Sequence, residues 1–243
     1  MPVDTSKTVR ELAVELPYAP RIFENLGIDY CCGGKRPLAE ACAQSGIPVA
    51  TVLERLATAE AAVQNGDAGV AKNWAKGSTG ELIDQILQRH HAYVREESPR
   101  LKQLFAKVAS KHGEKHPELL RAQELFDSLA EELAVHLMKE EQILFPYILR
   151  MEESQISREP VPPSCFGTVR NPIAMMLSEH DNAGELLKQI RKETGDLKTP
   201  EDGCVSFQSL YRDLLAFEAD LHQHIHLENN ILFPRALAME DSK

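Results

Sequence analysis

Residues 136–146 read His-Leu-Met-Lys-Glu-Glu-Gln-Ile-Leu-Phe-Pro, and residues 224–234 read His-Ile-His-Leu-Glu-Asn-Asn-Ile-Leu-Phe-Pro. Both fit one pattern, HxxxExxILFP, repeated at an offset of 88 residues. Upstream, His91 and His180 are offset by 89 residues. The chain thus carries an internal repeat in which each half is a helical hairpin, with a His on its first helix and an HxxxE on its second. His and Glu at i, i+4 share one helix face, so His136/Glu140 and His224/Glu228 can both point inward.

Around this repeat lie four long helical stretches with almost no strand signal: about Thr79 to Ser110, Pro117 to Met151, Pro172 to Thr194 and Val205 to Met239. The first opens on a Ser78/Thr79 cap, and a bend is expected at Pro99. The breaks contain Gly113 and Pro117, then Pro160, Pro162 and Pro163, then Pro200 and Gly203. Long helices joined by short breaks predict an up-down four-helix bundle. In an antiparallel hairpin, two residues lie at one level when the turn falls midway between them. The midpoint of His91 and His136 falls near Gly113, that of His180 and His224 at Asp202, and that of Glu140 and His180 at Pro160. All three midpoints are turns, so the six side chains belong at one level.

Four imidazoles and two carboxylates at one level of a core need cations to compensate them, and bundle cores are where such sites are built. The set contains no thiolate, which argues against a structural zinc finger. Histidine with carboxylate suits iron, manganese or zinc. Six protein ligands are too many for one catalytic zinc. They suit two irons bridged by Glu140 and Glu228, with two histidines per metal and open positions for an oxo or hydroxo bridge or a small diatomic. Dimanganese fits the same geometry. His112, His116, His222 and His226 are expected on the solvated surface, as is His90. Spacing leaves both His90 and His91 open as the first ligand, and the 89-residue offset favours His91.

The front of the chain differs. Thr8 to Leu16, Pro20 to Leu26, Leu38 to Ser45 and Pro48 to Val63 read as short helices. The expected organisation is all-α: a small helical domain at 1–66, a linker at 67–78 and the bundle at 79–243. Between the second and third short helices runs the glycine-rich loop Asp29-Tyr30-Cys31-Cys32-Gly33-Gly34-Lys35. Adjacent cysteines form a disulfide only with strain. Lys35, Arg36 and the helix start at Pro37 should favour thiolates, and exposed thiolates can take up iron, nitric oxide or oxidants. The loop is not a phosphate loop, because Arg36 stands where Ser or Thr is needed. Cys42, Cys165 and Cys204 read as structural or incidental.

Composition sets limits. The 243 residues carry 27 basic and 37 acidic side chains, a formal charge of −10. Residues 1–70 hold 6 basic and 9 acidic groups, so neither part of the chain is a basic nucleic-acid binder. No segment reaches the ~18 consecutive apolar residues of a membrane span, and the first residues lack signal-peptide character. Five cysteines, two of them adjacent, make a poor disulfide framework and fit a reducing cytoplasm.

Taken together, the DYCCGGK loop, residues His136 to Pro146, Ser178-Glu179-His180-Asp181 with Ala183-Gly184-Glu185, and His224 to Leu237 resemble the iron–sulfur cluster repair di-iron proteins, the repair of iron centres family. The resemblance runs from Val9 to Leu237, and its second part looks like a hemerythrin-like domain. It implies di-iron ligands at His91, His136, Glu140, His180, His224 and Glu228, the set that spacing also selects. One departure lies at His90, where the family pattern has an aromatic Tyr. The implied function is repair of iron–sulfur clusters damaged by nitrosative or oxidative stress. The di-iron site would supply iron, and Cys31 and Cys32 would serve as redox or iron-transfer thiols. The expected partners are damaged iron–sulfur proteins, small diatomics such as nitric oxide, and a second copy of the chain. Neither nucleic acid nor membrane is expected. No catalytic residue is assigned. The alternatives are a di-iron nitric oxide reductase and an oxygen or nitric oxide sensor.

Overall fold

A computed structural model describes residues 3–65, 72–161 and 163–242, and among them the chain is all-α. Residues 67–71 of the expected linker, and Pro162 of the second break, lie outside the described residues. Packing divides the chain into two compact units, Met1–Leu82 with His222–Arg235, and Ile83–Leu221 with Ala236–Lys243.

The first unit opens with four short helices, α1 (Val9–Glu15), α2 (Ala19–Asn25), α3 (Leu38–Ser45) and α4 (Val49–Gln64). Most are too short to persist alone, so caps and a shared core hold them. Thr8 and Glu11 form a reciprocal capping box at the start of α1. Gly46 ends α3 in the left-handed conformation, at φ 67°. Phe23, Tyr30, Leu38, Val52 and Leu56 are buried together, the four purely apolar side chains each worth roughly 1.5–3 kcal/mol of transfer free energy. The cysteine loop is pinned to α1: the Arg10 N–H donates to the Gly34 carbonyl at 2.7 Å and the Val9 N–H to the Arg36 carbonyl at 3.0 Å.

The later segment of this unit, His222–Arg235, is held by the same residues. The Asn230 amide donates to the Tyr30 carbonyl at 2.9 Å. His222 pairs with Glu24 at 3.0 Å. Arg235 donates to the carbonyls of Trp74 and Gly77, at 2.5 and 2.9 Å.

Four long rods make the up-down bundle. The first is α5 (Thr79–Gln85), continued through a π turn at Ile86–His91 into α6 (Ala92–His112). The second is α7 (Glu118–Lys139), a π turn at Glu140–Leu144 and α8 (Phe145–Ser157). The third, α9 (Arg170–Glu193), is uninterrupted. The fourth is α10 (Val205–Leu227), a π turn at Glu228–Leu232 and α11 (Phe233–Asp241). Ser78 caps the first rod through the Glu81 N–H at 3.2 Å, and Pro99 lies inside α6 without ending it.

Pro146 and Pro234 account for two of the π turns. Proline has no N–H to give, and its ring crowds the carbonyl four residues earlier. The turn just before it opens and takes one extra residue. Within the second unit the rods pack through aromatic contacts, with Phe105–Phe126 and Phe126–Phe217 centroids both 5.5 Å apart. Arg191 grips the buried Glu218 carboxylate at 2.8 Å, tying α9 to α10. Among the described residues no helix is long and apolar enough to cross a membrane.

Gly34 tests the loop. A Cβ there would stand 2.7 Å from the Tyr30 carbonyl oxygen, a contact that only backbone movement relieves. Gly34→Ala should destabilise the protein by about 1–3 kcal/mol, read as a lower urea midpoint at unchanged slope.

Candidate metal centre

Each π turn ends or begins on a residue expected as a ligand. His91 closes the first, Glu140 opens the second and Glu228 opens the third. His136 and His224 lie one regular turn before their glutamates, and His180 lies mid-way along α9. π turns cluster at functional sites because the extra residue re-aims the side chains around it.

Two sets of four side chains present ligand atoms within 4.8 Å of one another, all of them buried. One set is His91, Glu140, His224 and Glu228; the other is His136, Glu140, His180 and Glu228. The two sets together contain the six residues singled out in the sequence, with His91 among them and His90 in neither. Cys31 and Cys32 belong to neither set.

The separations are those of donors arranged around an ion. Glu140 Oε2 lies 3.4 Å from His91 Nε2 and 3.3 Å from His136 Nε2. His136 and His180 face each other Nε2 to Nε2 at 3.1 Å. His224 Nε2 is 2.9 Å from Glu228 Oε1. Two ligands about 2.1 Å from one ion and at right angles to each other stand about 3 Å apart. Glu140 and Glu228 have 0% exposure. Burying two carboxylates this completely is costly without a compensating cation, and the nitrogen and oxygen donors suit iron, manganese or zinc.

Behind the imidazoles stand acidic partners that the sequence reading did not assign to this role. Glu141 Oε1 takes His91 Nδ1 at 2.7 Å, and Glu179 Oε2 takes His136 Nδ1 at 2.8 Å. This fixes each ring so that Nε2 is turned toward the centre, a common support for metal-bound histidine. Glu141 is held in turn by Arg95, and Glu179 by Lys139. Burial raises the pKa of both carboxyls, but the hydrogen bonds from histidine and from the basic side chain outweigh it and leave them below the usual range.

Two of the histidines expected at the surface are buried. His90 is 1% exposed and bonds Asp220 through Nδ1 at 3.0 Å. His226 is 4% exposed, with the Tyr30 ring 5.4 Å away and the Asn230 amide donating to Nδ1 at 2.8 Å. Burial pushes the His226 pKa down to about 4, so the ring is neutral. The reason is packing: α10 is covered on more than one face, which helical periodicity alone does not reveal.

The cysteine loop departs from expectation as well. Cys31 is buried rather than exposed, and its thiol is pushed well above the usual range by the neighbouring Cys32 sulfur, by burial and by Asp29. The Asp29 carboxylate accepts the N–H groups of Cys31 and Cys32 at 3.2 and 3.0 Å, a turn that Asp favours. The thiol near neutrality is Cys204. It is exposed, its carbonyl accepts the Gln208 N–H at the start of α10, and its Sγ lies 3.2 Å from His112 Nε2.

Comparison with known proteins gives two matches. Residues 82–236 match the hemerythrin HHE cation binding domain, and residues 5–60 match ScdA_N, a domain of unknown function. The chain is 38% identical over 230 residues to the iron-sulfur cluster repair protein YtfE of Escherichia coli O157:H7, covering 95% of this chain and 96% of that protein. It is 37% identical, over the same shares, to the proteins of that name from Citrobacter koseri and Escherichia fergusonii.

Cys204 offers a check on the local electrostatics. The Phe207 N–H and the His112 ring bring its pKa down to about 7. Only the thiolate is nucleophilic, so its alkylation by iodoacetamide should rise with pH and reach half its plateau rate near pH 7. Site-resolved mass spectrometry measures this, and His112→Phe should shift the midpoint upward.

Proposed function

The chain belongs to the family of iron–sulfur cluster repair proteins carrying a hemerythrin-type cation-binding bundle, and on that footing we propose that it is a di-iron protein that repairs clusters damaged by nitric oxide or peroxide by supplying iron. The observation that carries the reading is that Glu140 and Glu228 each belong to both ligand sets, whereas every histidine belongs to one. His91 and His224 would hold one ion and His136 and His180 a second, with Glu140 and Glu228 available to both.

When bound, the two irons supply a labile, redox-active source of metal. The protein's own part is to hold and release it. Glu141 and Glu179 keep a proton on Nδ1 of His91 and His136, so that each Nε2 lone pair faces the centre. Full burial of Glu140 and Glu228 excludes water from the shared oxygens. Cys31 and Cys32 receive iron on its way to a client. The working parts are the helical domain at 1–66, the linker at 67–78 and the bundle at 79–243. The setting is the cytoplasm, where damaged iron–sulfur proteins are the clients and nitric oxide is the stress.

Protein isolated without added metal should contain two irons per chain, with Glu140→Leu and Glu228→Leu each lowering that content, since each removes a charge shared by both ions. One zinc per chain by elemental analysis overturns the di-iron reading. Full iron in both variants shows that another carboxylate does the bridging.

Anaerobic incubation of the di-iron protein with a cluster-depleted enzyme, following both iron transfer and gas consumption, tests delivery. Iron should move to the acceptor, and Cys31→Ala with Cys32→Ala should slow that movement while keeping the iron. Nitric oxide consumption without iron transfer supports the reductase instead.

A further inference from the structure

The first unit contains a second group of metal donors, different in kind from the buried nitrogen and oxygen cage. Cys31 Sγ and Cys32 Sγ lie 3.7 Å apart, and Cys31 Sγ lies 3.5 Å from Asp29 Oδ1. Around a tetrahedral ion with metal–sulfur bonds of about 2.3 Å and metal–oxygen bonds of about 2.0–2.2 Å, the sulfur–sulfur edge is about 3.8 Å and the sulfur–oxygen edge about 3.5 Å. Two edges of such a site already stand at the required length. The trio is not among the groups of described residues whose donor atoms all lie within 4.8 Å of one another, so the third edge, Cys32 Sγ to the Asp29 carboxylate, forms only when Cys32 moves on binding.

The donors rest on a built backbone. Asp29 is oriented by the N–H groups of Cys31 and Cys32. Gly33 leaves room for its other oxygen, because a Cβ there would stand 2.9 Å from Oδ2. The loop carbonyls are held from the far side, Tyr30 by Asn230 at 2.9 Å and Cys31 by Asn229 at 3.5 Å. Asn229 follows Glu228 in the chain, so the segment that steadies the loop is the one that carries two ligands of the buried cage.

We propose that Asp29, Cys31 and Cys32 form a mononuclear site for one divalent, thiophilic cation, with its fourth position left open for exchange. This deepens the iron-transfer reading of the two thiols, on which it rests, by naming Asp29 as their partner and giving the site its coordination. Binding replaces two thiol protons, released to solvent, with one ion held by two thiolates and a carboxylate. Soft sulfur donors distinguish this site from the His/Glu cage, which contains no sulfur.

That difference gives the test. Full-length, iron-loaded protein with reduced thiols is titrated anaerobically with Co(II) alone. One equivalent should bind per chain with a thiolate-to-cobalt charge-transfer band and the visible spectrum of a tetrahedral ion. Cys31→Ser and Cys32→Ser should each abolish the band. Asp29→Asn, which keeps an acceptor for the two N–H groups, should weaken binding roughly tenfold or more at unchanged helical content. The site is overturned by absence of the band, by its survival when both cysteines are replaced, or by parental affinity in Asp29→Asn. Iron transfer is measured on the same preparation. A parent that shows the band but passes no iron keeps the site and sinks the transfer reading, whereas a parent that passes iron without the band does the reverse.

Discussion

Two carboxylates without solvent exposure, their oxygens within 4.8 Å of each other, are the constraint on which the bundle depends. At that distance and an effective dielectric near 20, two unit negative charges repel by about 3 kcal/mol, on top of the cost of desolvating each. Nothing apolar can offset this locally. Polar partners therefore chain outward from the centre: Glu140, then His91 and His136, then Glu141 and Glu179, then Arg95 and Lys139 at the surface. The last pair is where solvent takes over. Away from this level the rods are packed by phenylalanine contacts and tied by Arg191 to the buried Glu218.

Much of this was legible in the residue order. The repeated HxxxExxILFP and the turns midway between candidate ligands located six side chains on four helices, and the two buried sets together contain the same six. His91 and His90 could not be separated by level, because adjacent residues on a helix differ mainly in direction. In the structure His90 Nδ1 meets Asp220 while His91 joins the buried group, and no local pattern announces a partner 130 residues away. The π turns were missed because hydrophobic periodicity averages over several turns and hides one extra residue. Their signal was present in Pro146 and Pro234, which stand at matching places in both repeats.

The amino-terminal part was read less well. Its four helices lie close to where glycines and prolines placed them, but the cysteine loop is inverted in character. Basic neighbours in sequence suggested exposed thiolates, whereas in three dimensions Cys31 faces inward, beside Cys32 and Asp29. Adjacency in sequence says which charges are near the chain, not which are near the sulfur. The hold of Tyr30 and Cys31 on Asn230 and Asn229, across some 200 residues, was likewise beyond any pattern of spacing. What results is a chain with two unlike polar groups: buried histidines and glutamates in the bundle, and a pair of thiols on a loop in front.

The π turns also bear on how such a chain can change through generations. A regular helix tolerates many substitutions, but each residue added or lost turns everything beyond it by about 100°. In the second and fourth rods the register after the glutamate depends on one surplus residue, taken up just before Phe145-Pro146 and Phe233-Pro234. A single-codon deletion there would restore an ordinary helix, leave Phe145 or Phe233 facing much as before, and re-aim Glu140 or Glu228 instead. The two repeats are free to diverge in letters, as Lys139-Glu140-Glu141 and Leu227-Glu228-Asn229 already have, yet each is locked in length.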